Sequence, residues 1–214
     1  MGKISGMEDI RQLPPKVCGI YKAVIQMLEE GTEAGDIRVS AVTERAGIGK
    51  GTAYEYFDSK EEIVTCAILY QMRCMFGWLK ETLEELDGFR EQLDFLLTEV
   101  EKREYHKNCF SRFLHMMTDN SDFNRGLRKR MQEEAFAPYL PVNVFAEVMR
   151  RGMERGELRT DLPVDYMSHC LFSHLLIYMM AVTSDGFPDT EPPAVRSLVY
   201  RGILNELGGE CSRK

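Results

Sequence analysis

The tripeptide Gly47-Ile48-Gly49 constrains the fold of this chain more than any other feature of its sequence. Glycine interrupts a helical pattern, and the apolar Ile48 can fill the corner between the segments on either side of it. The segments before and after this corner, about 39–46 and about 50–57, are each only two helical turns long. A corner between two short helices is therefore the first structural expectation.

Apolar side chains at helical spacing continue along most of the chain. Ser59 followed by Glu62 forms a capping box, which predicts that a long helix begins there. No window alternates apolar and polar residues for long enough to require a strand, so the sequence predicts an all-α fold with about nine helices. The expected helices span about 17–28, 39–46, 50–57, 59–86, 89–104, 109–117, 124–155 with a break at Pro138 and Pro141, 163–184 and 193–207.

The distribution of apolar residues also bears on the compartment. The most apolar stretch, 170–182, is shorter than the roughly 18 residues needed to span a bilayer. Residues 1–13 lack the apolar run of a signal peptide. The six cysteines include no Cys-x-x-Cys pair, which argues against a disulfide framework and a zinc ribbon. We therefore expect a cytoplasmic protein that makes no membrane contact and keeps its thiols reduced.

The three short helices over 17–57 form a helix-turn-helix pattern, whose last helix would enter the major groove of DNA. Residues 39–63, VSAVTERAGIGKGTAYEYFDSKEEI, resemble the TetR family of transcriptional regulators. A weaker likeness, over 152–165, is to the turn that leads into the dimerisation helices of that family. The closest agreement lies in Ala46-Gly47, Lys50-Gly51-Thr52, Tyr54-x-Tyr56-Phe57 and Ser59-Lys60-Glu61-Glu62.

This resemblance implies a transcriptional regulator with two domains. Residues 1–62 would form the helix-turn-helix DNA-binding domain, and residues 63–214 would form a helical domain for ligand binding and dimerisation. The implied partners are double-stranded operator DNA, a small-molecule effector and a second copy of the chain. The commonest mode is a repressor that binds a palindromic operator and is released by an apolar or amphipathic effector. An enzyme activity, a cofactor and a metal are not expected.

The resemblance also implies which side chains contact DNA, and their chemistry is suitable. Lysine can bind guanine or a phosphate, threonine can contact a thymine methyl group, and a tyrosine hydroxyl can reach a phosphate. Residues at the start of the second helix are placed for backbone contacts, and a helix N-terminus favours a phosphate. The predicted DNA-binding residues are Arg38, Ser40, Lys50, Gly51, Thr52, Tyr54, Tyr56 and Lys60.

The charge of the chain limits this expectation. The net charge is −7, and residues 1–70 contain three more acidic than basic side chains. Nucleic-acid affinity spread over the whole surface is therefore excluded. A local basic rim of Arg38, Lys50, Lys60 and Arg45 is the predicted source of DNA affinity. Glu55 on the recognition helix would repel phosphates unless it accepts a hydrogen bond from a cytosine.

The remainder of the chain predicts where the effector and the partner subunit bind. The helices over about 164–184 and 193–207 carry apolar faces wider than one core needs, which predicts half of a four-helix dimer interface. Methionine and aromatic side chains beyond residue 70 can line an adaptable apolar pocket. The candidate pocket residues are Phe110, Phe113, Met117, Phe136, Phe145, Phe172 and Met179.

Two alternatives remain open at this point. The acidic helix-turn-helix is also compatible with a helical ligand-binding or adapter protein in which that motif no longer binds DNA. The second alternative is a DNA-binding sensor that responds to metals or thiol chemistry. Its candidate ligands at short helical spacing are His106, Cys109 and His115, and His169, Cys170 and His174.

Overall fold

The structure, a computed structural model, describes residues 3–102, 121–183 and 192–209. Within these ranges the chain forms nine α-helices and one isolated β-bridge, between Leu158 and Gly208. The all-α prediction is confirmed. The helices are α1 (Pro15–Glu29), α2 (Val39–Arg45), α3 (Lys50–Tyr56), α4 (Lys60–Glu85), α5 (Phe89–Glu101), α6 (Asp122–Met131), α7 (Pro141–Glu154), α8 (Val164–Thr183) and α9 (Pro192–Leu207).

The segment expected as one interrupted helix over 124–155 forms two separate helices, α6 and α7. Helix α6 ends at Met131, and the residues after it form turns, in which the Phe136 N–H donates to the Glu133 carbonyl at 2.9 Å. Pro138 has no N–H to donate to a carbonyl one turn earlier, so an α-helix cannot continue through it without a lost bond, and Pro141 suits the first turn of α7. The helix expected over 109–117 lies outside the described residues.

The helices pack as two compact units. Among the described residues the first unit contains 3–75 and 121–137, and the second contains 76–102, 138–183 and 192–209. Because α4 runs without a break from Lys60 to Glu85, no structural boundary falls after residue 62. The division into functional domains at that position stays a prediction.

The first unit has a small core built from one face of each helix from α1 to the first half of α4. The rings of Tyr21 and Phe57 lie 6.0 Å apart, and Tyr70 lies 5.0 Å from Tyr21. Phe123 from α6 packs against the same cluster. This core fixes which side of α3 is turned outward. Its fully buried members include Val17, Ile20, Val24, Val42, Ala53, Ile63, Val64 and Ala67.

The second unit has a separate core in which α5, α7, α8 and α9 pack together. Gly152 allows α7 to approach the following turn closely, because a Cβ at this position would lie 2.6 Å from Leu158 Cδ1. Arg196 of α9 pairs with Asp94 at 2.6 Å and with Glu101 at 2.9 Å, both on α5. These contacts fix the outward faces of α8 and α9. In the part of the chain described, no helix combines the length and the apolar character needed to cross a membrane.

Candidate DNA-binding site

The corner between α2 and α3 is built as the sequence predicts. Gly47 has a positive φ of 65°, a left-handed conformation that glycine adopts without strain. The Gly47 N–H donates to the Glu44 carbonyl at 3.1 Å, and the Ile48 N–H donates to the Thr43 carbonyl at 2.9 Å. This pair of bonds is the Schellman arrangement, which ends α2 and turns the chain sharply into α3.

Helix α3 presents a polar face to solvent. Ala53 is fully buried, whereas Lys50, Gly51 and Glu55 are exposed. Tyr54 keeps 44% of its surface exposed, so its ring is not required by the core. A two-turn helix with an exposed lysine and tyrosine on one side has the shape and chemistry of a recognition helix.

Five of the eight predicted DNA-binding residues line one open groove. The groove has a volume of about 540 Å³ and lies between the start of α2, the start of α3 and the start of α4. Among the described residues, the side chains of Arg38 and Lys50 have no hydrogen-bond or ion-pair partner, so both can turn towards a ligand. The five residues are Arg38, Ser40, Lys50, Tyr54 and Lys60; the half-buried Thr52 and exposed Gly51 belong to the same helix α3.

Lys60 also has an internal role. Its ammonium donates to the Gly35 carbonyl at 2.7 Å and lies 3.9 Å from the Glu61 carboxylate. The capping interactions lie next to it. The Glu62 N–H donates to Ser59 Oγ at 3.1 Å, as in a capping box, whereas the Glu62 carboxylate accepts from the N–H of Asp58, the residue before the cap, at 2.6 Å. Through its bond to the Gly35 carbonyl, Lys60 holds the loop before α2, and this loop forms one wall of the groove.

Tyr56 differs from the expectation that it faces DNA. Only 4% of its surface is exposed, and it packs in the core with Ala53 and Phe57. Positions 53, 56 and 57 share one face of a helix, and that face is the inward one. The Tyr56 ring therefore supports α3 from behind, and we do not include it among the proposed base or phosphate contacts.

Arg45 differs from the expected basic rim. Its guanidinium makes two parallel bonds to the Glu30 carboxylate, at 2.7 and 2.6 Å. These hydrogen bonds lower the pKa of Glu30 and raise that of Arg45, so both groups stay charged as a pair. The cations that remain at the groove are Arg38, Lys50 and Lys60.

Sequence reasoning missed one residue close to the recognition helix. The Lys3 ammonium donates to the backbone carbonyls of Tyr54 at 2.8 Å and Phe57 at 3.1 Å. It also pairs with the Asp58 carboxylate at 2.8 Å. Lys3 lies about 50 positions before these partners and outside any helical pattern, so no sequence signal could have indicated the contact.

The helix-turn-helix matches a known family. The model for bacterial regulatory proteins of the tetR family matches residues 23–65, which contain α2, α3 and the first turn of α4. The helix-turn-helix segment of this chain is therefore similar to that of the TetR family. The match indicates that the chain is a transcriptional regulator.

Relatives extend this likeness beyond the matched segment. The fatty acid metabolism regulator protein of Bacillus subtilis (strain 168) is 23% identical over 165 residues, which are 76% of this chain and 81% of that protein. The transcriptional regulator FadR from Bacillus subtilis, solved in complex with stearoyl-CoA, has a TM-score of 0.64 at 17% identity, over 87% of this chain and 97% of that one. A Saccharomonospora viridis protein solved with choline has a TM-score of 0.67 at 17% identity, over 91% and 98%. These structural likenesses show a shared fold.

The candidate effector-pocket residues that the structure describes are distributed over both units. Phe110, Phe113 and Met117 lie outside the described residues. Phe136 is fully buried in the first unit. The other three lie in or against the core of the second unit, where the rings of Phe145 and Phe172 are 6.4 Å apart and Met179 is half-buried. The pocket stays a prediction.

The residues considered for a metal- or thiol-responsive sensor form two groups, and the structure describes one of them. His106, Cys109 and His115 lie outside the described residues. On α8, ring nitrogens of His169 and His174 bond to backbone carbonyls one turn earlier, at 2.7 and 2.9 Å. In the described ranges, no three His, Cys, Asp or Glu side chains are grouped so as to hold a metal ion.

Cys66 is expected to be chemically inert in the folded protein. It is fully buried, and burial raises the pKa of its thiol to about 12. Since the thiolate is the reactive species, iodoacetamide at pH 8 should modify Cys66 at least about 100-fold more slowly than the half-buried Cys18. Timed alkylation followed by peptide mass spectrometry measures both rates. Equal rates in the native protein, rather than only after unfolding, would contradict this prediction.

Proposed function

We propose that this regulator is a repressor that binds a palindromic operator as a dimer and is released by an amphipathic effector with a long apolar chain. The observation that carries the DNA-binding part is the groove beside α3, where Arg38, Ser40, Lys50 and Tyr54 converge on one open surface. In this proposal Lys50 and Tyr54 contact bases or phosphates in the major groove. Arg38 and Ser40 contact the backbone on the other side.

The dimer part of the proposal is supported by the outward faces of α8 and α9. On α8, Tyr166, Ile177 and Met180 share one face, and each keeps about half of its surface exposed. Leu198 on α9 is 55% exposed. Large exposed apolar side chains at helical spacing indicate a face that packs against another helix pair. A twofold pair would present two copies of α3 to major grooves about 34–36 Å apart.

The effector part of the proposal is supported by the relatives and by the apolar composition of the second unit. A B. subtilis relative is named for fatty acid metabolism, and FadR was solved with stearoyl-CoA. Half-buried apolar side chains, among them Phe172 and Met179, pack against the core of the second unit. Methionine and phenylalanine adapt to a flexible acyl chain. We therefore propose a long-chain acyl thioester as the effector class, held by the domain that follows residue 62.

A single experiment tests DNA recognition and effector class together. The full-length protein is used to select sequences from random DNA, and the selected duplex is titrated with stearoyl-CoA, coenzyme A or choline. We expect a palindromic site and release by stearoyl-CoA at concentrations that leave the coenzyme A and choline samples bound. Binding and release are coupled reciprocally, so operator should weaken stearoyl-CoA binding by the same factor. Release by choline alone would overturn the acyl-thioester assignment. Failure to select any DNA sequence would overturn the proposal that the protein is a repressor.

The salt dependence of operator binding is expected to be modest. Each protomer offers three cations at the groove, Arg38, Lys50 and Lys60, because Arg45 is paired with Glu30. Six neutralised phosphates per dimer give a slope of log K against log salt of about −5. Fluorescence anisotropy between 50 and 300 mM salt measures the slope. A slope near −9 would contradict the prediction, because it would require basic groups outside the groove.

A further inference from the structure

The N-terminal strap, defined here as residues 3–8, contacts the end of the recognition helix. Lys3 donates from its ammonium to the carbonyls of Tyr54 and Phe57, at 2.8 and 3.1 Å. The Ile4 N–H donates to the Tyr56 carbonyl at 2.9 Å, and the Ile4 side chain is buried in the core of the unit. Carbonyls in the last turn of a helix lack partners within the helix, so the strap supplies the donors that α3 cannot.

The other end of the strap is held by two arginines. Arg73 of α4 is 8% exposed and donates to the carbonyls of Gly6 at 3.1 Å and Glu8 at 3.0 Å. Arg130 of α6 donates to the Ser5 carbonyl. Three backbone carbonyls of the strap are therefore bound by side chains that the chain places on two different helices.

The middle of the strap is closed into a turn that lies against α4. Gly6 has a positive φ of 82°, and a Cβ there would lie 3.2 Å from both Cα and Sγ of Cys66. The Glu8 carboxylate accepts from the backbone N–H groups of Ser5 at 2.5 Å and Gly6 at 2.9 Å. Burial opposes ionisation of Glu8, but these hydrogen bonds outweigh it and lower its pKa, so the turn retains its charged acceptor at neutral pH.

We propose that the N-terminal strap sets the operator-binding position of α3, with Lys3 and Arg73 as positioning residues. The proposal rests on the proposed function, because it concerns operator binding. A two-turn helix has little stability of its own and takes its position from what it packs against. The strap joins the C-terminal end of α3 to α4 and α6. The arginines of α4 and α6 that bind the strap lie outside the helix-turn-helix. A shift of α3 relative to the helices that it packs against would move its exposed side chains away from the positions in which they contact DNA.

The test compares operator affinity with affinity for unrelated DNA in the full-length protein. Lys3→Met removes the donors at the end of α3, and Arg73→Gln weakens the other anchor. Because hydrogen bonds to charged groups are among the stronger ones, we expect each variant to bind the selected operator roughly tenfold more weakly. Affinity for unrelated DNA should stay within about twofold of the parent protein, because positioning affects only the specific complex.

Four further measurements separate positioning from a direct contact or from partial unfolding. Lys3→Arg should restore most of the operator affinity, because it keeps a cationic donor. Asp58→Asn removes the ion pair of Lys3 but not its carbonyl bonds, and should cause no loss. The salt slope of Lys3→Met should equal that of the parent, since each phosphate contact contributes about 0.9 to the slope. In the double variant, which combines Lys3→Met with Arg73→Gln, the fold-loss of operator affinity should be smaller than the product of the two single losses, because both changes act on one strap.

Each contrary result has a definite meaning. If the parent protein selects no operator, the proposed function fails. If the parent binds and Lys3→Met binds equally well, the strap does not position α3. A slope that is smaller by about two, one contact from each protomer, together with weaker binding to unrelated DNA, makes Lys3 a phosphate contact and overturns the proposal. Should circular dichroism show that Arg73→Gln is unfolded, the comparison of Lys3→Met with Lys3→Arg decides the question, because Lys3 lies on the surface.

Discussion

Aspartate at both Ile177 and Leu198 is expected to produce a monomer whose operator affinity is at least 100-fold lower than that of the parent protein. Both side chains are at least half exposed in the single subunit, so the change should leave its core intact. In the proposed dimer the same positions would be covered by the partner. Four carboxylates would then enter an apolar interface, where a charge without a partner is costly to bury.

The loss of DNA affinity follows from the loss of the second recognition helix. Binding one half-site brings the other helix to the adjacent half-site at high effective concentration, which is worth about 10²–10⁴ in affinity. Sedimentation velocity measures the mass, and anisotropy with the selected operator measures the affinity. Ala135→Asp is the control for added negative charge, because it places one carboxylate per protomer at an exposed position outside α8 and α9. A doubly substituted protein that remains dimeric would place the interface elsewhere.

The second large effect is expected from Lys50→Ala combined with Tyr54→Ala. Both side chains are exposed and line the groove, so their removal should leave the fold and the dimer unchanged. Specific contacts to a base are worth about 1–3 kcal/mol each, and two such losses per protomer should weaken operator binding by 100-fold or more. Circular dichroism and sedimentation establish that the variant is folded and dimeric before its affinity is measured.

A control for this variant separates a specific contact from the loss of charge. Lys22→Ala removes an exposed cation from α1 in the same unit, outside the groove. It should weaken operator binding by no more than about twofold, since a distant charge is screened at physiological salt. Equal losses of operator affinity in the two variants would indicate that Lys50 acts through the overall electrostatic field of the protein and not through a specific contact. Normal binding by the double variant would support the alternative in which the helix-turn-helix no longer recognises DNA.

Much of the first unit could be predicted from its sequence because the signals are local. The glycine corner, the capping box at Ser59 and the helical spacing of apolar residues each act within five positions. The burial of Tyr56 could also be predicted, since Tyr56 shares a helix face with the buried Ala53 and Phe57. The resemblance to the TetR family groups Tyr56 with Tyr54 as a DNA contact, and this implication differs from the buried position of Tyr56.

The features that were not predicted depend on contacts between distant parts of the chain. Glu30 directly follows α1 and lies 15 positions before Arg45, the last residue of α2. Lys3 is about 50 positions from the carbonyls it binds. Neither pair leaves a periodic pattern in the sequence. The end of α6 at Met131 was missed because the residues up to Ala137 contain no strong helix breaker. Contacts between residues that are distant in sequence can be known only after the unit is folded.

The pairing of Arg45 with Glu30 has a consequence for how a dimer would search a chromosome. A cation that is already neutralised by its own chain adds little to transient attachment on random sequence, and an overall charge of −7 opposes such attachment further. Few molecules would be sequestered by the excess of competing sites that a genome offers. A cell could then keep its targets occupied with a small number of copies, and an inducer would need to neutralise only that small population.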